Sequence, residues 1–292
     1  MYELIKVSEK CYYIESPAKI GIYKISEDEV CLIDSGNDKD AGKKVLRIIT
    51  EQGWKLRAIY NTHSHADHIG GNAYLQAQTG CRIYAKGIEC DFTNHPVLES
   101  AFLYGGCPMD ELKHKFLLAK ESICEPLAED KMPKGLKMIE LPGHSFDMVG
   151  FLSDDGVAFL ADSLSSVATL EKYRIGFIYD VGAYLESLEK IKGIEAEFFV
   201  PSHAEKTEDV SALADYNIAT VNEIADKILD ICSHWISFEV ILKRLFDEYS
   251  LVMTNEQYVL VGSTVRSYLT YLSKEGRISH EIIGNELLWK KK

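Results

Sequence analysis

Apolar and polar residues alternate in short runs over the first part of the chain. KCYYIES, IGIYKIS and EVCLIDSG, separated by turn-forming residues, predict consecutive strands within residues 1–36. From Asp40 to Gln52 the spacing becomes helical, with Val45, Leu46, Ile48 and Ile49 apolar and Gly53 as a stop. RAIYNT reads as a strand, the segment from His68 to about Thr79 as a helix, and CRIYA as a further strand. This alternation predicts an α/β fold rather than a purely β one.

Residues 86–134 interrupt the rhythm. They are rich in helix formers, hold no convincing strand and carry the loop signals NHP, YGGCP and EDKMPKG, so they read as a helical or loop-rich insertion able to cover a site. Strands return at LKMIEL, VGFLS, VAFLAD and EFFVP, with the helix AYLESLEKIKG before the last. An amphipathic helix is predicted over 209–232. Beyond it, ISFEVILKRLF, TNEQYVLVG and STVRSYLTYLSKEG predict three short helices, and RISHEIIGNELLWKK a hairpin. The expected division is a large α/β domain over 1–228 and a small winged-helix-like domain over 229–292.

Composition narrows the class. With 292 residues, 46% of them apolar and 26% charged, the chain can bury a full core. It has no uncharged apolar run long enough to span a bilayer, and MYELIKVSEKCYY does not resemble an export signal. Its seven cysteines are scattered without a CxxC pair, so reduced thiols and a cytoplasmic location are expected. The net charge of −13 argues against a nucleic-acid or membrane partner. It is also uneven. Residues 234–292 carry eight basic and seven acidic groups, which leaves a net −14 on the preceding part.

The chemistry is concentrated in Asn61-Thr62-His63-Ser64-His65-Ala66-Asp67-His68, directly after an apolar strand. One ion cannot easily accept three imidazoles and a carboxylate from so short a stretch, whereas two ions roughly 3.5–4 Å apart can share them. Further ligand types follow other strands: His144 after LKMIEL, Asp162 at the end of VAFLAD, and His203 after EFFVPS. Open α/β sheets place their sites at such strand ends. Nitrogen and oxygen donors without thiolate suit Zn²⁺ first, with Fe or Mn²⁺ as alternatives. His95, His114, His234 and His280 have no partners at ligand spacing and read as surface or packing residues, and Lys113 and Lys115 as solvated charges.

These motifs resemble the metallo-β-lactamase superfamily, particularly its hydroxyacylglutathione hydrolase (glyoxalase II) branch. The likeness spans residues 1 to about 205 and rests on Ile33-Asp34-Ser35-Gly36, the His63–His68 cluster, Pro142-Gly143-His144, Asp162 and Pro201-Ser202-His203. It implies an αββα sandwich with the metals at one sheet edge. By similarity His63, His65 and His144 would hold one divalent ion, Asp67, His68 and His203 the second, with Asp162 bridging. Asp34 would position the histidine loop.

The expected function is a dinuclear metal-dependent hydrolase acting through a metal-bound hydroxide, with Asp67 orienting the nucleophile. Its substrate would be a small acyl thioester, ester or lactone. The chain departs from the resembled branch at Ser145-Phe146-Asp147-Met148 and Ser202-His203-Ala204, and its C-terminal part lacks a basic set for glutathione. Alternatives are a single-stranded RNA endonuclease, a mononuclear-iron sulfur dioxygenase and a ligand-sensing DNA-binding regulator. The C-terminal segment reads as a packing or homodimerisation module: on STVRSYLTYLSKEGRI, Val265, Leu269 and Leu272 give an apolar face and leave Arg266 and Lys274 as the basic candidates, less positive charge than a DNA-reading helix offers.

Overall fold

The structure, a computed structural model, describes residues 2–292. Strands β1 (Glu3–Lys6), β2 (Cys11–Glu15), β3 (Ile20–Lys24) and β4 (Glu29–Ile33) form an antiparallel meander. Helix α1 (Lys39–Glu51) then returns the chain to β5 (Lys55–Tyr60), which pairs parallel with β4. Asp38 starts that helix by accepting hydrogen bonds from the amides of Asp40 and Ala41. Two short helices follow, α2 (Ala66–Ile69) and α3 (Asn72–Thr79), and then β6 (Arg82–Ala85).

The insertion contains α4 (Gly87–Asn94), α5 (Val97–Tyr104) and a strand not expected from sequence, β7 (Cys124–Pro126). β7 adds to the edge of the seven-stranded sheet, parallel to β6. At three residues and ending in proline, it is too short to show a period of two.

The second sheet has the order β11-β10-β9-β8, from β8 (Leu136–Glu140), β9 (Val149–Ser153), β10 (Val157–Ser165) and β11 (Phe198–His203). Between β10 and β11 lie α6 (Val167–Tyr173), absent from the sequence reading, and α7 (Val181–Lys192). The two sheets face each other across a core that includes Tyr23, Tyr60, Phe151 and Phe159. Outside the first sheet, α1 and α3 cover Val45, Ile49, Leu75 and Ile83. Outside the second, α7 and α8 (Ser211–Ile231) bury Leu188, Val221 and Ile228. Helices therefore flank two packed sheets, as the αββα expectation requires.

The C-terminal part differs in detail from its prediction. TNEQYVLVG and STVRSYLTYLSKEG form one continuous helix, α10 (Asn255–Lys274), after α9 (Phe238–Glu248), so two helices stand where three were expected. No proline or glycine pair breaks the run, and Gly262 lies within it. Strands β13 (Ile278–Ile283) and β14 (Glu286–Lys291) form the hairpin, and β12 (Ile236–Ser237) pairs with β14. The expected boundary at 228/229 falls inside α8, and one apolar cluster runs from Leu141 through Leu229 to Ile278. The join is thus a shared helix and core rather than a linker.

All seven cysteines are free, and six are buried. No helix among the described residues is long and apolar enough to cross a membrane.

Two glycines allow the close approaches that shape the metal-ligand loops. A Cβ on Gly71 would lie 2.3 Å from Ser35 O, where α2–α3 packs on the turn after β4. Gly143, beside His144, has φ +119°, and a Cβ there would lie 2.2 Å from Tyr184 N in α7. Both obstacles are backbone atoms that cannot rotate away. Gly143→Ala should therefore destabilise the protein by about 2–4 kcal/mol through strain and overpacking. A melting temperature within a degree of wild type would show that this contact does not constrain the loop.

Candidate metal centre

Strands β4, β5 and β6 run parallel, so their C-terminal ends lie at one end of the large sheet. β5 delivers His63 into full burial there, and the chain turns at His65, the residue before α2. That turn puts Asp67 and His68 on a single helical turn. His144 arrives in the loop after β8 and His203 is the last residue of β11. Asp162 does not end its strand, as the sequence suggested. β10 continues to Ser165, but its register with β11 shifts on both sides of Ala161, which has φ +52°. The bulge re-aims the strand at this point.

The seven side chains meet in two groups: His63, His65 and His144, and Asp67, His68, Asp162 and His203. Within each group one nitrogen or carboxylate oxygen per residue lies within 4.8 Å of all the others. Asp162 touches both. Its Oδ1 is 3.1 Å from His68 Nε2, and its Oδ2 is 3.1 Å from His203 Nε2 and 3.6 Å from His144 Nε2. Asp67 Oδ2 lies 3.3 Å from His203 Nε2, and His65 Nδ1 lies 3.1 Å from His144 Nε2.

The outward nitrogens are committed to protein partners. His68 Nδ1 is 2.8 Å from Asp34 Oδ2, and His203 Nδ1 donates to Pro17 O at 2.9 Å. Thr62 Oγ1 donates to Asp34 at 2.8 Å and so accepts from His63 Nδ1 at 3.0 Å. These bonds turn the Nε2 atoms of His63, His68 and His203 toward the interior of the site. His63 Nε2, His68 Nε2 and Asp162 Oδ1 are buried and make no hydrogen bond. Buried polar atoms are rarely left so.

Protonation separates the groups. Burial holds His63 well below the usual imidazole range and lowers His65 and His144 to about 4, so the first group offers neutral nitrogens. In the second group burial also opposes charge, but Asp162 and Asp67 outweigh it. His68 is raised well above its ordinary value and His203 to about 10. Burial would likewise favour the neutral acids of Asp67 and Asp162, yet the adjacent imidazoliums His68 and His203 hold both below the usual carboxylate range. Imidazolium charge in the second group thus balances the carboxylates as a bound cation would. The orphaned inward atoms and the nitrogen–oxygen donor set fit two divalent ions.

Asp34 contacts both ends of the histidine segment. At φ +65° it accepts from Thr62 N at 2.8 Å and Thr62 Oγ1 while holding His68. Glu89, on α4 of the insertion, was not anticipated. Fully buried, it accepts from Ser64 N (2.9 Å), Ser64 Oγ (2.6 Å), Ser145 Oγ (2.5 Å) and Asp147 N (3.0 Å). One carboxylate therefore ties the His63–His68 loop to the His144 loop. Glu99 on α5 was also missed. Its Oε1 lies 3.8 Å from His65 Nε2, and burial, with Glu89 and Asp67 nearby, pushes its carboxyl up to about 8.

The other histidines stay outside. His95 ends α4, His114 pairs with Glu256 at 2.7 Å, His234 is exposed, and His280 packs on Trp289. Lys113 pairs with Asp110 and Lys115 with Asp38.

A model of the metallo-beta-lactamase superfamily matches residues 17–203. The chain is 29% identical over 156 residues to a hydroxyacylglutathione hydrolase of Methylococcus capsulatus, covering 52% of this chain and 50% of that protein. It is 32% identical over 131 residues to one of Rhodopseudomonas palustris, covering 44% of this chain and 42% of that one. The chain spans about half the length of these curated relatives. In fold it is similar to a metallo-beta-lactamase family protein from Thermus thermophilus, with TM-score 0.74 and 17% identity over 99% of this chain and 98% of that one. A beta-lactamase domain protein from Burkholderia ambifaria gives TM-score 0.72 and 16% identity over 99% and 94%. With the family's motif residues gathered at one end of its two sheets, the chain belongs to the metallo-beta-lactamase superfamily and is similar to the hydroxyacylglutathione hydrolases within it.

Proposed function

We propose that the protein is a dinuclear metal-dependent hydrolase of a small acyl thioester, with esters and lactones as related substrates. The observation that carries this reading is Asp162, whose carboxylate lies between two ligand groups that hold three further residues each. His63, His65 and His144 would hold one divalent ion, and Asp67, His68 and His203 the other, with zinc the first choice. Divalent cations in such a site supply Lewis acidity towards water and a carbonyl oxygen.

The chain's own residues supply the rest. Asp67, held as a carboxylate, is the most exposed of the seven ligand side chains, with 38% of its side chain accessible, and can orient an attacking water. Phe177 packs edge-on against His65 and His144, at 5.2 and 5.8 Å between ring centres, and keeps solvent from the first group. A thiolate leaves without needing a proton, so a thioester is the acyl substrate that asks least of this site.

We also propose that the segment from α8 onwards is a winged-helix-like module that walls the site. Its helix–strand–helix–helix–hairpin order and the sheet order β12-β14-β13 support this. α10, the helix a DNA-binding module of that kind would offer, faces inward: Thr264 Oγ1 accepts from Ile178 N and Ser267 Oγ donates to Tyr179 O. Arg266 stacks on Phe238 at 3.7 Å. These contacts support a small-molecule substrate over nucleic acid. The free thiols suit a reducing compartment such as the cytoplasm.

Three measurements bear on this reading. Thiol release from a panel of acyl thioesters should require two equivalents of bound divalent metal and fall at least ~100-fold in Asp67→Ala; turnover that survives chelation would exclude the proposed chemistry. Glu89→Gln places an amide against four hydrogen-bond donors, so metal affinity should drop ~10–100-fold, measured by competition with a chelator; unchanged affinity would make Glu89 a packing residue. Finally, a raised imidazole pKa stabilises the metal-free fold fully below about pH 6.5, and that contribution is lost as pH rises through about 10 for His203. Metal binding strengthens over the same range as ligands shed protons. The gap in melting temperature between metal-loaded and chelated protein should therefore widen from pH 6 to pH 9, and a narrowing gap would contradict the protonation pattern.

A further inference from the structure

A cavity of about 60 Å³ opens beside the ligand residues His144 and Asp162. Leu170, Ile224 and Phe177 give it apolar walls, while Tyr184, Tyr268 and Arg174 add polar groups. At 10–15 Å³ per water-sized group it has room for roughly four non-hydrogen atoms.

Two features mark it as built to hold something. Tyr268, from α10, is fully buried, yet its hydroxyl has no hydrogen-bond partner. A buried hydroxyl left unpaired is destabilising and is satisfied when a ligand supplies an acceptor. Arg174 has φ +60° and ψ −59°, with Ile175 N donating to Tyr173 O at 2.7 Å across it. This is the strained hand of the three-residue γ-turn, rare for any residue with a side chain. Arg174 lines the cavity and is exposed, without an ion-pair partner among the described residues. Strain held at a cationic side chain beside a ligand cluster points to binding rather than packing.

Resting on the hydrolase reading above, we propose that this cavity receives the acyl part of the substrate, and that this part is short and ends in a carboxylate, as in a malonyl thioester. Beyond its reacting carbonyl a malonyl group has a methylene and a carboxylate, about four non-hydrogen atoms, which matches the space. Arg174 takes the carboxylate as a charge-assisted pair and Tyr268 donates to it. Water supplies the new oxygen. A C–O bond forms at the acyl carbon, the C–S bond breaks with its electron pair on sulfur, and of the two water protons one ends on the thiol and one in solution. Nothing is oxidised or reduced.

The test compares malonyl, 3-methylbutanoyl and octanoyl thioesters of one thiol on the metal-loaded enzyme. The first two have the same number of non-hydrogen atoms and the same branching, and differ in charge. Malonyl should be preferred over 3-methylbutanoyl by about 10- to 100-fold in kcat/KM, with octanoyl slower still. The preference should collapse in Arg174→Met and weaken in Tyr268→Phe. Arg174→Gly, which relaxes the turn, gives a second variant in case the first folds poorly. Octanoyl turned over as fast as malonyl, or an unchanged preference in both Arg174 variants, would overturn the cavity assignment while leaving the hydrolase standing. Absence of turnover with every thioester would instead sink the hydrolase reading. The cavity then answers separately through saturation-transfer NMR with malonamate, which should report contact with wild type and lose it in Arg174→Met. Equal signals, or none, reject it.

Discussion

Five imidazoles and two carboxylates within a few ångströms of one another, all buried or half-buried, are a costly arrangement for a protein interior. Like groups repel, lone pairs face one another, and burial penalises whichever member carries charge. His63 is driven neutral, His68 and His203 are driven to carry protons, and Asp162 is held ionised between them. A packed core left to itself would relax such a cluster apart. Its persistence requires that each loop bearing a ligand be fixed from behind, and much of the fold's unusual geometry lies in those fixings.

Two buried carboxylates do most of that bracing from opposite sides. Asp34, at the end of β4, gathers Thr62 and His68 and so sets both ends of the histidine segment. Glu89 gathers Ser64 and Ser145 and so sets the distance between that segment and the His144 loop. The oxygens of each are satisfied by several hydrogen bonds, as burial of a carboxylate requires. The insertion that carries Glu89 is therefore part of the site's frame as well as its cover. Loss of the insertion would free the His144 loop even though all seven ligands remained.

The ligands could be read from sequence because each follows an apolar strand or lies in a dense cluster, and strand ends in an α/β sheet converge. The braces could not. A glutamate inside GIECDFTN has the same local pattern as a solvated helix face, and only the fold shows that Ser64 and Ser145 meet it. The strand at Cys124–Pro126 lacked enough residues to show a period. Asp162 read as a strand end because the positive φ at Ala161, which bends the strand without stopping it, has no marker in an alanine. At the C-terminus the residues of α10 were read as helical, but the join between TNEQYVLVG and STVRSYLT was misplaced. Helical spacing continues unbroken there, and the helix runs through Gly262.

That helix also explains why the chain's second part is joined to the first by a common core. Ser267 and Tyr268 lie three and four residues after Thr264 and so share one face of α10 with it. Thr264 and Ser267 hold the backbone of Ile178 and Tyr179, and Tyr268 reaches the cavity beside Asp162. The loop they hold carries Phe177, which packs on His65 and His144. A flexible linker would let this face drift from the loop by more than a hydrogen bond tolerates. α8 instead runs through the expected boundary and packs its apolar face against both parts. The modest +1 charge of the C-terminal segment fits the same account. A surface evolved to grip nucleic acid needs a basic field, whereas one evolved to hold a loop over a metal site needs two hydroxyls and an aromatic ring in register.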